Sequence, residues 1–181
     1  VTLALRGTGT SGLFLLPEDL WCVHGDEDQL HQVIHNISIN AVQAMANGGA
    51  LEVTCENIHI GPESEIPLTP GPHIRMAFTD SGPGIAANNL PRIFDPYFTT
   101  KGGGNGLGLA TAFSIIQRHG GHMQAISDGS RGTTMLIHLP ARPDAELEKV
   151  PASHSATAEA GGKRVLVLDD EDAIRNLLSR A

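Results

Sequence analysis

Aromatic residues make up only 4% of this 181-residue chain. Its core must therefore be built from Leu, Ile, Val, Ala and Met. Cysteine occurs twice, as Cys22 and Cys55, with no CxxC pair and no Cys/His cluster around either. That excludes a disulfide scaffold and a thiolate zinc site, and predicts two reduced, mostly buried thiols in a reducing compartment. Cations are in the minority: 12 Lys and Arg stand against 20 Asp and Glu, a formal net charge of −8. Without a basic stripe, nucleic acid is excluded as a general partner, because phosphate backbones require clustered Lys and Arg. No apolar run approaches the ~18 residues of a membrane helix. No direct membrane contact is expected, and the chain reads as cytoplasmic whether or not its parent is membrane-anchored. It opens on VTLALRG, with no initiator Met and no signal pattern, and so reads as a piece of something longer.

The length suffices for one ordinary domain and a remainder. Strand-like pieces are expected at residues 1–5, 13–16 and 20–23, with a turn over 7–12. Asp26, followed three residues later by Gln29, is a helix N-cap in capping-box spacing. The helix should run to about Ala46 and stop at Asn47-Gly48-Gly49. Residues 50–60 alternate as a strand, 61–72 are a Pro- and Gly-rich loop, and 73–79 form a strand running into Asp80. Turns and a short helix fill 83–97. A helix is expected over Gly106–Arg118, then two strands, 123–127 and 133–139, joined by a turn at Asp128-Gly129. Residues 141–162 lack an apolar period and read as a flexible linker. KRVLVLDDEDAIRNLLSR then begins a new unit with an apolar strand and an acidic turn.

Turning the first helix at about 100° per residue gathers Leu30, Val33, Ile34, Ile37, Ala41, Ala44 and Met45 on a core face. Gln29, Gln32, Asn36, Asn40 and Gln43 gather on another. A solvated face usually carries Lys and Glu; this one carries neutral amides. An amide oxygen serves a cation without adding charge, and Mg²⁺ takes oxygen ligands while bridging substrate phosphates. The alternative is a plain polar surface. His35 within this helix reads as a packing residue or a support to the site rather than a catalytic acceptor.

Asp80 ends an apolar strand and precedes Ser-Gly-Pro-Gly. A carboxylate there is able to accept a hydrogen bond from an exocyclic amine such as that of adenine, while Gly82 and Gly84 let the backbone approach a ligand closely. An ordinary Asp-Ser-Gly turn is the alternative. Further on, Gly102-Gly103-Gly104 and Gly106-x-Gly108 lead into a helix, an arrangement that offers backbone N–H groups to an anion. It is neither a Walker loop nor a dinucleotide fingerprint. Phe94, Tyr97 and Phe98 cluster before these glycines as an anchor for one end of a lid. Thr99, Thr100 and Lys101 then lie within reach of a triphosphate, unless Lys101 is simply a solvated loop lysine.

The ordered set of motifs resembles the catalytic ATP-binding domain of sensor histidine kinases, in the superfamily shared with gyrase, Hsp90 and MutL. QLHQVIHNISINAVQAM resembles the N box, DSGPGI the first glycine box, IFDPYFTTK the F box of nitrogen-regulation-type kinases, and GNGLGLAT the second glycine box. The resemblance covers about residues 1–140. It implies a Bergerat-type α/β sandwich, a mixed sheet with helices packed on one face. It implies ATP and Mg²⁺ as ligands. Asn36 and Asn40 would serve the metal and, with Lys101, the chemistry. Asp80 would take the adenine amine, with Gly82, Gly84, Ile85 and Thr133 at that end. Thr100, Lys101, Gly104, Gly106, Leu107, Gly108 and Leu109 would line the phosphate side.

Residues 163–181 resemble the start of a response-regulator receiver domain, with Asp169 and Asp170 matching its acidic Mg²⁺ pair. The parent would then be a hybrid kinase, with both phosphoacceptors outside this chain. The implied activity is transfer of the ATP γ-phosphoryl group to a histidine on a dimerisation domain through which the parent forms a homodimer. A receiver aspartate, in cis or in a separate response regulator, would follow. Two alternatives stand beside this: an ATPase clamp of the gyrase or Hsp90 kind, and a regulatory module without kinase activity. The clamp enzymes place a Glu where Asn36 stands, as base for water; an amide cannot take that proton.

Overall fold

In this computed structural model, residues 5, 9–101 and 104–145 are described. Strand β1 spans Thr10–Leu15 and β2 is the short pair Cys22–Val23. Helix α1 spans Glu27–Ala44, followed by β3 (Gly49–Ile60) and β4 (Gly71–Asp80). A 3₁₀ turn at Leu90–Arg92 precedes α2 (Gly108–Arg118). Strands β5 (His122–Ile126) and β6 (Thr133–Arg142) complete the order.

The start of α1 follows from its cap. Asp26 accepts from the Gln29 backbone N–H at 3.0 Å, and the Gln29 side chain donates to the other Asp26 oxygen at 3.0 Å. These bonds hold the Asp26 carboxyl below its ordinary pKa. The helix ends two residues before the expected Ala46. Met45 N–H bonds back to both Ala41 and Val42 carbonyls, and Gly48, at φ 86°, turns the chain into β3. The second helix starts at Gly108 rather than Gly106, because Gly106 sits at φ 64°, outside the right-handed helix. Strand β1 begins at Thr10, where a turn was expected; pairing with β3 recruits it. Of residues 1–5 only Leu5 is described, and it packs against the core.

The sheet runs β1-β3-β4-β6-β2, with β5 also on β6. β1 lies parallel to β3, and the other pairs are antiparallel. The mixed sheet and its helix layer match the expected sandwich. Val33, Ile37, Ala41 and Met45 of α1 and Ala112, Ile115 and Ile116 of α2 are buried against Leu51, Val53, Phe78, Met123, Met135, Ile137 and Leu139 of the sheet. Among the described residues, Phe78 is the one aromatic in that buried cluster, as the scarcity of aromatics requires. The opposite sheet face carries a polar row in cross-strand register: Glu56 opposite Arg75, Arg75 opposite His138, His138 opposite His122. Cys22 and Cys55 are both free and half-buried, less enclosed than expected.

Candidate functional site

The strand β4 delivers Asp80 to its last position, paired with Thr133 on β6. Asp80 is 7% exposed. Its Oδ1 accepts from the backbone N–H of Gly82 at 2.9 Å and of Thr133 at 3.2 Å. Among the described residues Oδ2 has no hydrogen-bond partner. Burial raises the carboxyl's pKa, while those two N–H groups and the Lys101 ammonium oppose the rise. Gly132, at φ 97°, passes so close that a Cβ there would collide with the Asp80 carbonyl oxygen. Only glycine allows this approach.

Across the cleft stands α1. Asn36 donates from Nδ2 to the Gly108 carbonyl at 3.0 Å, which ties α1 to the start of α2. Asn40, one turn on, donates from Nδ2 to the Asn36 carbonyl at 2.8 Å. With the donors so used, both Oδ1 atoms are left without a partner among the described residues. The N-terminus of α2 has no side-chain cap, so its first backbone N–H groups and the dipole's positive end are available to an anion. Gly106 accepts from Tyr97 N–H at 2.9 Å. At its φ of 64°, a Cβ would lie 2.5 Å from the Tyr97 carbonyl carbon.

These parts surround one cleft of about 800 Å³, a size that suits a nucleotide. Of the predicted residues, Asn36, Asn40, Asp80, Gly84, Ile85 and Thr133 line it. Thr100, Lys101, Gly104, Gly106, Leu107, Gly108 and Leu109 line it as well. Gly82 is not in the lining; it acts through its bond to Asp80. His35 is exposed at the cleft's edge rather than packed. Asp169 and Asp170 lie outside the described residues.

The family model for histidine kinase-, DNA gyrase B- and HSP90-like ATPases matches residues 25–143, the segment that builds this cleft. The chain belongs to that family. It is 40% identical over 125 residues to sensor histidine kinase ZraS of Escherichia coli, covering 69% of this chain and 23% of that protein. It is 36% identical over 171 residues to sensor kinase CckA of Brucella abortus, covering 87% of this chain and 18% of that one. The chain thus spans about a fifth of the length of these curated relatives. Among solved structures, the mycobacterial sensor histidine kinase MprB superposes with a TM-score of 0.64 at 27% identity, over 78% of this chain and 89% of that one. The nucleotide-free catalytic domain of histidine kinase ThkA gives 0.63 at 26%, over 78% and 86%. Membership in this ATPase family supports ATP as a ligand of this domain.

Three features of the ATPase-family cleft escaped sequence reasoning. Phe78 and Met135 form its apolar wall, paired directly across β4 and β6. The signal was present: Phe78 is two residues before Asp80 and Met135 two after Thr133, so strand alternation puts all four on one face. The aromatic anchor is only partly as expected. Phe94 stacks on Phe113 at 4.8 Å and the Arg92 guanidinium covers Phe98 at 4.8 Å. Tyr97 instead points outward, 76% exposed at φ 68°. Lastly, Lys101 Nζ donates to the Asn40 carbonyl at 3.3 Å and to Gln43 Oε1 at 3.1 Å, rather than standing free in the loop. Burial lowers its pKa and the Asp80 charge partly restores it.

Proposed function

We propose that this chain is the ATP–Mg²⁺-binding catalytic unit of a sensor histidine kinase. It would pass the γ-phosphoryl group to a histidine on a dimerisation domain, for relay to a receiver aspartate in cis or in a separate response regulator. The observation that carries the proposal is the split use of Asp80 opposite an amide wall. One carboxylate oxygen is saturated by Gly82 and Thr133, and the other is left for an amine donor such as that of adenine. Thr133, Gly84 and Ile85 flank that end. Thr100, Lys101, the glycines 104, 106 and 108, and Leu107 and Leu109 serve the phosphates together with the start of α2.

The residues fit Mg²⁺ held jointly with a nucleotide. Among the described residues, the two hard, neutral oxygens of Asn36 and Asn40 have no hydrogen-bond partner, and no group of three or more His, Cys, Asp or Glu offers a dedicated metal cage. When bound, the ion would neutralise phosphate charge. The chain's own residues position: they fix the base, align the phosphates and exclude water. A carboxylate base for water is missing at Asn36, which favours transfer to a protein acceptor over hydrolysis.

The match to CckA covers 87% of the chain, a larger share than residues 1–143 make up, which supports homology running beyond the cleft domain. We assign residues 1–140 to the catalytic domain, 141–162 to a linker and 163–181 to a receiver start carrying Asp169 and Asp170, in a hybrid parent. A cytoplasmic location accords with the helices described, none of which is long and apolar enough to cross a membrane.

The test supplies a histidine-bearing dimerisation domain and γ-labelled ATP with Mg²⁺. Label should appear on that domain's histidine. Rapid phosphate release with no labelled histidine would overturn the kinase reading in favour of an ATPase clamp.

A further inference from the structure

Helix α1 is electrically unbalanced in its own sequence. Glu27 and Asp28 complement its first turn, but no cation stands in its last. The C-terminal end of a helix carries partial negative charge and attracts a cation. Lys101, far along the chain, supplies it. Its ammonium binds the Asn40 carbonyl and Gln43 Oε1 at the end of α1. The half-buried ammonium is also drawn by the Asp80 carboxylate across the cleft. Three attractions of one sign therefore converge on Lys101. They hold it against Asn40, in the cleft where the proposed ion and phosphates would come.

One ammonium cannot serve both places. On α1 it occupies the region that a divalent ion would enter, and like charges repel there. At the phosphates it would have to leave Gln43.

We infer that Gln43 is a positioning residue that parks Lys101 on the end of α1, and that ATP binding requires this Lys101–Gln43 clasp to open. The inference rests on the ATP–Mg²⁺ reading above. A cleft competent only when Lys101 is released has an apparent Kd equal to its intrinsic Kd divided by the released fraction. A clasp closed in about 90% of molecules thus weakens binding about tenfold.

The experiment measures ATP binding in Mg²⁺ to the full chain and to Gln43→Leu, Gln43→Glu and Lys101→Met, with the two Gln43 changes repeated in the Lys101→Met background. Gln43→Leu removes the acceptor and should tighten ATP by about three- to tenfold. Gln43→Glu strengthens the clasp and should weaken ATP. Neither change should matter once Lys101 is methionine. Amide hydrogen exchange without nucleotide gives a second readout: Gln43→Leu should speed exchange at Ala44 and Met45 in the last turn. If wild type binds ATP while Gln43→Leu binds it equally or more weakly, the clasp is overturned and the ATP reading stands. A gain that persists in Lys101→Met has the same meaning. Absence of ATP binding by wild type overturns both.

Discussion

Replacing Asp80 by Asn isolates the proposed adenine contact better than any truncation would. In Asp80→Asn the amide oxygen keeps the position of Oδ1 and both backbone bonds, from Gly82 at 2.9 Å and Thr133 at 3.2 Å. The fold should therefore persist, and the change falls on the other atom. An acceptor with no hydrogen-bond partner among the described residues becomes an NH₂ donor facing the adenine amine, itself a donor. A hydrogen bond to a charged group contributes about 1.5–3 kcal/mol, and here both donors are left unpaired. ATP should bind about 10- to 150-fold more weakly. Guanine presents an acceptor oxygen at the corresponding edge, so GTP binding should fall less or improve. Titration calorimetry with ATP and GTP, beside thermal melts, reads both. An ATP affinity within about threefold of wild type, or equal losses for the two nucleotides in a folded variant, would refute the reasoning.

Three other outcomes are expected. Asn40→Ala should remove the Mg²⁺-dependent part of ATP affinity, so that titrations with Mg²⁺ and with a chelator converge; a full Mg²⁺ effect in the variant counts against Asn40 as a ligand. Gly132→Ala forces a Cβ at φ 97° into the Asp80 carbonyl and should cost about 2–4 kcal/mol, read by denaturant melts; a loss under 0.5 kcal/mol, roughly the effect of an ordinary surface change, would contradict the geometry. His138, 1% exposed, has its pKa lowered to about 4 by burial and then by His122, Arg75 and His73. The unfolded chain then binds more protons than the native one below the ordinary His value of about 6.5. Stability should thus fall as pH drops from about 6.5 to about 4, by on the order of 3 kcal/mol, and His138→Gln should flatten that slope.

Much of the site was legible because its chemistry is local. The Asp26–Gln29 cap is three residues long, and the spacing of Asn36 and Asn40 is one helical turn. Asp80 with its following glycines needs no distant partner to be noticed. In three places where expectation and structure part, the cause lies in contacts remote in sequence. β1 begins at Thr10 because β3 pairs with it. Gly106 leaves the helix because Tyr97 N–H claims its carbonyl. Phe78 and Met135 become one wall because β4 and β6 are aligned in a particular register.

By itself the sequence determined the amphipathic helix, the order of the motifs and the types of group available: amide oxygens, one carboxylate, glycine backbone and one lysine. Tertiary structure alone decided how each group is spent. It brought Thr133 of β6 onto the same Asp80 oxygen that the local Gly82 N–H already uses, and among the described residues left the other oxygen without a hydrogen bond. It turned the Asn36 amide toward Gly108. It also carried Lys101 to the end of α1, because a helix without its own C-terminal cation attracts one from wherever the chain brings it.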